Sequence, residues 1–415
     1  MKIAVIAPSA LPARRANAIQ TVRMAQAFAR LGHEVLLVAY SPYPAISPLT
    51  SSGQSPRPSQ SFPLGRGGRP SSPAPLPAGE GDKWEVLAEE YGLEVRFEVQ
   101  WLRARGWARR YDFALQAVWQ VRRWGAERIF TRLPQSATAA SLLGIPTIFE
   151  AHDLPRRGAA HFFRLFLLGK GAKRVVAISQ VLAQDLMEAF PSLSRFPRAF
   201  LTVAPDGVDL RPYTPPLSPL EARQRLRQYG WELPSGFIAG YTGHLYRGRG
   251  AEWMVALAAA VPQVHFLIVG GEAEQCQQLE RQLKARRLSN YTLTGLVTPQ
   301  KVPLFQMASD VLLMPYQAQV AASSGGDIAH YLSPMKLFEY LAAARPILAS
   351  DLPVLREVLN AENAILLPIQ ELAAWESALR RLVEEPERRR GLGEAARHTA
   401  QRYSWESRAE GILSG

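Results

Sequence analysis

"KIAVIAPSALPARRANAIQTVRMAQAFARLGHEVLLVAY", Lys2 to Tyr40, changes its hydrophobic period twice. "KIAVIAPS" is a continuous apolar run of strand length. "AIQTVRMAQAFARLGH" then repeats apolar residues at helical spacing, and "EVLLVAY" returns to a strand. Strand, helix and strand in this order form a βαβ unit, which implies a parallel sheet.

Working outward, "RIFTR", "PTIFEA", "RVVAIS" and "LTVAP" supply further strands, with helical segments between several of them. A second series starts at "FIAGYTG" and runs through "VHFLIVGG", "YTLTG", "DVLLMPY", "PILAS" and "AILLP". Each series is long enough for its own sheet. The fold class expected is therefore α/β with two Rossmann-like domains, residues 1–208 and 209–399, the boundary falling near Val208 to Leu220. The length of 415 residues agrees, being too great for one ordinary core. Residues 41–82 belong to neither series. Their Pro, Ser and Gly content cannot bury enough surface to offset ordering entropy, which predicts a disordered surface insertion.

Composition narrows the class. The chain is 47% hydrophobic and 20% charged, an ordinary globular balance. Its single cysteine, Cys276, excludes an intrachain disulfide and fits a reducing compartment. "MKIAVIAP" enters a strand without a basic leader, and no run of about 18 apolar residues offers a membrane span. A cytoplasmic protein is expected. The net charge of +12 calls for an anionic partner: nucleic acid, an anionic membrane surface or a phosphate-bearing ligand. Arginine scattered over solvated helices accounts for part of it. No RNP motif, zinc finger or helix-turn-helix accompanies the charge, which argues against nucleic acid.

"LSPMKLFEYLAAARPILASDLPVLREVL", Leu332 to Leu359, reads as two helices around a strand. Ser333 is an expected N-cap and Pro334 suits the first helical position. The amides of Met335, Lys336 and Leu337 then lack intrahelical partners and face outward at the positive end of the dipole. That is a seat for an anion, to which Lys336 adds a charge.

This stretch, preceded in order by "PDGVD", "TGHLYRGRG" and "FLIVGG", resembles the retaining glycosyltransferases of family 4. The resemblance runs over nearly the whole chain outside the insertion. It implies the GT-B architecture, two Rossmann-like domains facing across a cleft, with the closing helix about 400–415 crossing back onto the N-terminal domain. It also implies a nucleotide-sugar donor on the C-terminal domain, a glycan, lipid-linked or other hydroxyl acceptor, and transfer with retention. Ser333, Met335, Lys336 and Leu337 would meet the donor diphosphate, and Glu339 would accept from the ribose diol. Gly243, His244 and Arg249 would form the facing loop, His244 standing where the family often has arginine. Gly270 and Gly271 would lie by the base. Arg249 and Lys336 would carry the leaving charge, and no metal or other cofactor is expected. His152, in "PTIFEAHDLPR", matches the histidine near the reacting sugar.

The family usually carries a glutamate eight residues before Glu339, where this chain has Tyr331. In its place the backbone of "SSGGD", with Gly325 and Gly326, or Asp327 would contact the sugar. Asn17, with Arg14 and Arg15, stands where the first loop would meet acceptor or phosphate. Asp206 replaces the asparagine of an interdomain turn, a structural role. A non-catalytic nucleotide-sugar or glycan binder on the same fold stays open, and phosphorylases and epimerases are nearer rivals. Two segments, "WLRARGWARRYDFALQAVWQVRRWG" and "HFFRLFLLGKGAKR", mix arginine with aromatics, as a helix resting on anionic lipid would.

Overall fold

The computed structural model of the protein describes residues 1–13, 15–40, 83–103, 109–321 and 327–414. The expected insertion 41–82, Arg14, Gly325 and Gly326 lie outside them. The first sheet contains β1 (Lys2–Ala10), β2 (Glu34–Tyr40), β3 (Glu98–Leu102), β4 (Arg128–Thr131), β5 (Thr147–Ala151), β6 (Ala172–Ala177) and β7 (Leu201–Val203). Their order is β3-β2-β1-β4-β5-β6-β7, every pair parallel. The second contains β8 (Ile238–Thr242), β9 (His265–Val269), β10 (Tyr291–Gly295), β11 (Val311–Met314), β12 (Ile347–Ser350) and β13 (Ile365–Leu367), ordered β10-β9-β8-β11-β12-β13 and also parallel.

Parallel strands need helical crossovers that cover both faces, so their side chains are buried throughout. β5, β8, β11 and β12 are buried along their whole lengths. In each sheet the order reverses beside one strand, at β1/β4 and at β8/β11. The loops leaving the carboxyl ends of strands near such a switch form the ligand crevice of open α/β sheets.

The chain returns to the first sheet at its end. The helix Trp405–Leu413 puts Trp405, Ala409 and Ile412 on one face, at positions i, i+4 and i+7, and buries them with β1 and the helix Ala16–Arg30. Arg128 donates to the carbonyl of Leu413 at 3.0 Å, and Arg174 to those of Gly411 and Ile412. These cations satisfy carbonyls left open at the negative end of that helix.

The two halves also meet through polar contacts. Tyr331 Oη donates to Asp185 Oδ2 at 2.5 Å, and Glu357 accepts from the amides of Gln180 and Val181 at a helix start. Both couple the second half to the helix Gln180–Ala189 of the first.

Candidate functional site

The helix Met335–Ala342 begins one residue later than the sequence suggests. Pro334 takes the N-cap position without a side-chain cap bond, and the Leu337 amide donates to the Pro334 carbonyl. The Ser333 hydroxyl is not the cap. It accepts from the Asp206 amide at 3.0 Å, 127 residues away in sequence. With Pro334 at the N-cap, Ser333 lies one residue before it, and its side chain serves the connection between the halves instead. Of the three amides expected to be open, Leu337 is therefore occupied.

Lys336 is buried, and its ammonium has no hydrogen-bond partner among the described residues. It lies 4.0 Å from the centre of the Tyr241 ring and 5.1 Å from that of Tyr316. Burial, then the nearby Arg249, push its pKa well below the usual lysine range, while Glu339 opposes. Arg249 itself stands over Tyr246, and its buried Nε also lacks a partner among the described residues. A buried ammonium and a nearby buried guanidinium nitrogen, both without acceptors among the described residues, need an explanation. An anion seated between them supplies one.

The loop facing Lys336 follows β8. Gly243, at φ +136°, keeps open the space into which Lys336 points; a Cβ there would sit 3.2 Å from Nζ. The close approach at Gly270 is to protein: a Cβ would lie 2.3 Å from the Gly243 carbonyl oxygen. At Gly271 it would meet Leu245 at 2.6 Å. These two glycines thus let the loops after β8 and β9 pack on each other. The His244 ring stacks on Tyr246 at 4.9 Å, and its carbonyl accepts from Tyr241 Oη.

Glu339 lies one turn further along the same helix face as Lys336. Gln306 Nε2 donates to Glu339 Oε2 at 2.9 Å and to Thr242 Oγ1 at 3.0 Å, and Gln306 Oε1 accepts from Tyr213 Oη at 2.5 Å. The Tyr340 hydroxyl accepts from the Thr242 amide at 2.8 Å. Fully buried Gln306 thereby locks the helix to the end of β8. Burial raises the Glu339 carboxyl, against the bond from Gln306 and the charges of Arg23 and Lys336. Sequence reading missed Gln306, because nothing in its own neighbourhood marks it.

In the first half of the chain, His152 follows β5. Its Nε2 meets Glu150 Oε1 at 2.5 Å, and that oxygen also accepts from Gln20 Nε2 at 2.7 Å. Arg408 Nη2 donates to Glu150 Oε2 at 2.7 Å, and Arg132 Nε stands 3.8 Å from Oε1. Burial pushes Glu150 up, but Arg408, His152 and Arg132 outweigh it and hold the carboxylate well below its usual range. Burial and then Arg132 bring His152 down to about 4, despite Glu150. The ring is neutral near pH 7. Burial raises Asp206 to about 7 against Arg408, with Glu150 adding to the rise. Arg132 was legible by place, being the first residue past β4 at the switch point. Arg408 was not.

The remaining expected residues are spread around these two clusters. Asn17 lies in the first turn of Ala16–Arg30, its buried Oδ1 without a partner among the described residues. Asp327 Oδ1 accepts from the amides of Val320 and Ala329, both at 2.9 Å, so this oxygen organises its own loop. Tyr331, occupied by Asp185, holds the two halves together. Among the described residues no three His, Cys, Asp or Glu side chains group to hold a metal ion.

Two family models match the chain, "Glycosyltransferase Family 4" over residues 18–211 and "Glycosyl transferases group 1" over 236–385. Similar curated proteins include the D-inositol 3-phosphate glycosyltransferases of Corynebacterium urealyticum, 26% identical over 52% of this chain and 50% of that protein, and of Segniliparus rotundus, 27% identical over 66% and 61%. The chain thus spans about half to three fifths of the length of these curated relatives. Among solved structures, Anabaena Alr3699/HepE in complex with UDP has a TM-score of 0.68 at 15% identity, over 100% of this chain and 99% of that one. The two-sheet architecture is the GT-B fold.

Proposed function

Because the chain belongs to the glycosyltransferases of family 4 and group 1, we propose that it moves a sugar from a nucleotide-sugar donor to a glycan, lipid-linked or other hydroxyl acceptor, with retention and without a metal. The observation that carries this reading is the buried Lys336 ammonium, unpartnered at a helix start and aimed at the Gly243 loop beside Arg249. The donor diphosphate is the anion that fits there. In this reading Glu339, one turn on, accepts from two adjacent ribose hydroxyls. The structural likeness to a protein crystallised with UDP supports a uracil nucleotide.

The chemistry is then positioning and charge stabilisation. Lys336, Arg249 and the open amides of the helix start neutralise the leaving diphosphate as its charge grows. The departing phosphate takes the proton of the incoming hydroxyl on the same face of the sugar, which gives retention. Neutral His152, held by Glu150, offers the sugar a hydrogen bond without adding charge.

Acceptor delivery from the inner face of the cell membrane is supported by one surface. The helix Arg109–Trp124 buries Phe113, Ala117 and Val121 but exposes Tyr111, Leu115 and Trp119 as a stripe, with Arg123 4.6 Å from the Trp119 ring. Leu142, Leu143 and Leu168 are also exposed. No helix among the described residues is long and apolar enough to cross a membrane, so the contact would be peripheral. Co-sedimentation with anionic vesicles at low salt tests it, and failure to bind ends the idea.

One observation favours a second reading, a non-catalytic nucleotide-sugar binder: Tyr331 stands in place of the family's first glutamate and is spent on Asp185. A thermal-shift panel of UDP, GDP, ADP and dTDP sugars, followed by donor hydrolysis, separates the two. Stabilisation with slow release of free sugar is expected. Stabilisation without any hydrolysis or transfer would establish the binder, and no stabilisation by any donor would remove both.

A further inference from the structure

The group that holds Glu150, and through it His152, comes from the last helix of the chain. Arg408 lies on the buried face of Trp405–Leu413, between Trp405 and Ile412, and is only 7% exposed. Its guanidinium spends every nitrogen on the first half of the molecule. Nη2 donates to Glu150 Oε2 at 2.7 Å and to the Ala204 carbonyl at 3.0 Å. Nε donates to the Pro205 carbonyl at 2.7 Å, and Nη1 lies 3.0 Å from the Met24 sulfur. Ala204 and Pro205 begin the connection between the two sheets. Arg408 therefore ties that connection to the carboxylate that holds His152.

We propose that Arg408 is a positioning residue for sugar transfer: by pairing with Glu150 Oε2 it keeps that carboxylate ionised and turned so that Oε1 accepts from His152 Nε2–H. The proposal rests on the assignment of His152 to the sugar side of the cleft. Its logic is a matter of acceptors and donors. An ionised carboxylate only accepts, so the atom facing it at 2.5 Å must be the protonated nitrogen of the ring. A neutral histidine with its proton on Nε2 has its lone pair on Nδ1. The tautomer offered to the sugar is thus set from the far end of the chain.

The charged groups around His152 are Glu150 on its own strand, Arg132 beyond β4, Arg408 from the last helix and Asp206 in the connection. Removing Arg408 leaves Glu150 buried with less compensation, and takes a positive charge from the vicinity of the ring. Both effects make the Glu150–His152 pair bind a proton at higher pH. The last helix stays anchored by Arg128, Arg174 and its apolar face, so Arg408 can be altered without removing the helix.

The experiment follows the His152 imidazole by NMR titration of the full chain, assigned by loss of its signal in His152→Gln. In the wild type the ring stays neutral to about pH 4. In Arg408→Met the titration is expected to move up by about one unit or more, and turnover to fall at least tenfold with donor KM little changed. Arg408→Lys restores a charge beside Glu150 and should bring the titration back toward the wild type even if the carbonyl bonds are lost. It also serves if Arg408→Met does not fold. Unaltered His152 titration in both variants overturns the proposal and leaves Arg408 as a brace of the connection. Full transfer by His152→Ala would instead overturn the role of His152, while the titration result would stand.

Discussion

The Lys336 ammonium lies 4.0 Å from the centre of the Tyr241 ring and has no hydrogen-bond acceptor among the described residues. A ring face attracts a cation, yet it replaces only part of the water that an ammonium loses on burial. The nucleotide-free protein therefore holds this charge at a cost. Lys336→Met keeps the stem and removes the charge. It should stabilise the free protein by about 0.5–2 kcal/mol, the range of function-for-stability exchanges, and reduce the rise in Tm expected from a nucleotide-sugar donor in the wild type. Urea melts with and without nucleotide are the measurement. A free variant less stable than the wild type would refute the account of Lys336 as an anion-seeking charge.

Proton uptake offers a second check on the same group. With its folded pKa well below the ordinary 10.5, Lys336 binds fewer protons in the folded chain than in the unfolded one throughout that interval. Its contribution to stability accordingly rises with pH across the window, and Lys336→Met lacks this slope. A bound diphosphate raises the pKa again. Nucleotide binding in the lower part of the window should then draw protons from the buffer, up to about one per site. Calorimetry in buffers of different ionisation enthalpy reads that number directly. A buffer-independent enthalpy in the wild type would mean that Lys336 is already charged or stands away from the phosphate.

Glu339 should behave differently from Lys336. Ribose contacts are the same in the ground and transition states, so they contribute uniform binding. Hydrogen bonds to a charged group are worth roughly 1.5–3 kcal/mol, which predicts a donor affinity about one to two powers of ten weaker for Glu339→Gln and a smaller change in turnover. Lys336→Ala should lose turnover more than affinity. Gln306→Ala, which removes the bond holding Glu339 Oε2 and the one to Thr242, should reproduce the Glu339 pattern and lower Tm as well. Steady-state kinetics of the three variants settles this, and a fall in turnover alone for Glu339→Gln would move Glu339 from the ribose to the reacting sugar.

The parts of the site legible in sequence are those whose signal is local. Lys336 and Glu339 sit one turn apart behind a Ser-Pro start, and two α/β series announce two parallel sheets through period alone. The N-cap was misplaced because Ser333 answers to Asp206, a partner that local spacing cannot reveal. Gln306 and Arg408 were invisible for the same reason: their partners lie 33 and 258 residues away. Their own surroundings read as an ordinary buried helix and an ordinary basic tail. The resemblance places Gly270 and Gly271 by the base; local sequence cannot show that both are also required by packing between the loops after β8 and β9.

His152 carries the last prediction. With its pKa at about 4, the ring does not charge near the usual 6.5, so turnover should show no limb there from this residue. The expected acid limb lies near pH 4. Stability follows the same sign: a histidine with a lowered folded pKa contributes fully above pH 6.5 and loses that contribution as pH falls toward 4. Asp206, raised to about 7, acts in the opposite sense over an overlapping range, so the informative quantity is the difference between wild type and His152→Gln. That difference should shrink as the solution is acidified, because only the wild type pays the proton-binding penalty. His152→Ala should lower turnover about tenfold or more, for a lost sugar hydrogen bond of roughly 1.5 kcal/mol, while UDP affinity stays near the wild-type value. Equal losses of Tm and activity, with an acid limb unmoved between wild type and His152→Gln, would make His152 a packing residue and leave the sugar to be held from the other side of the cleft.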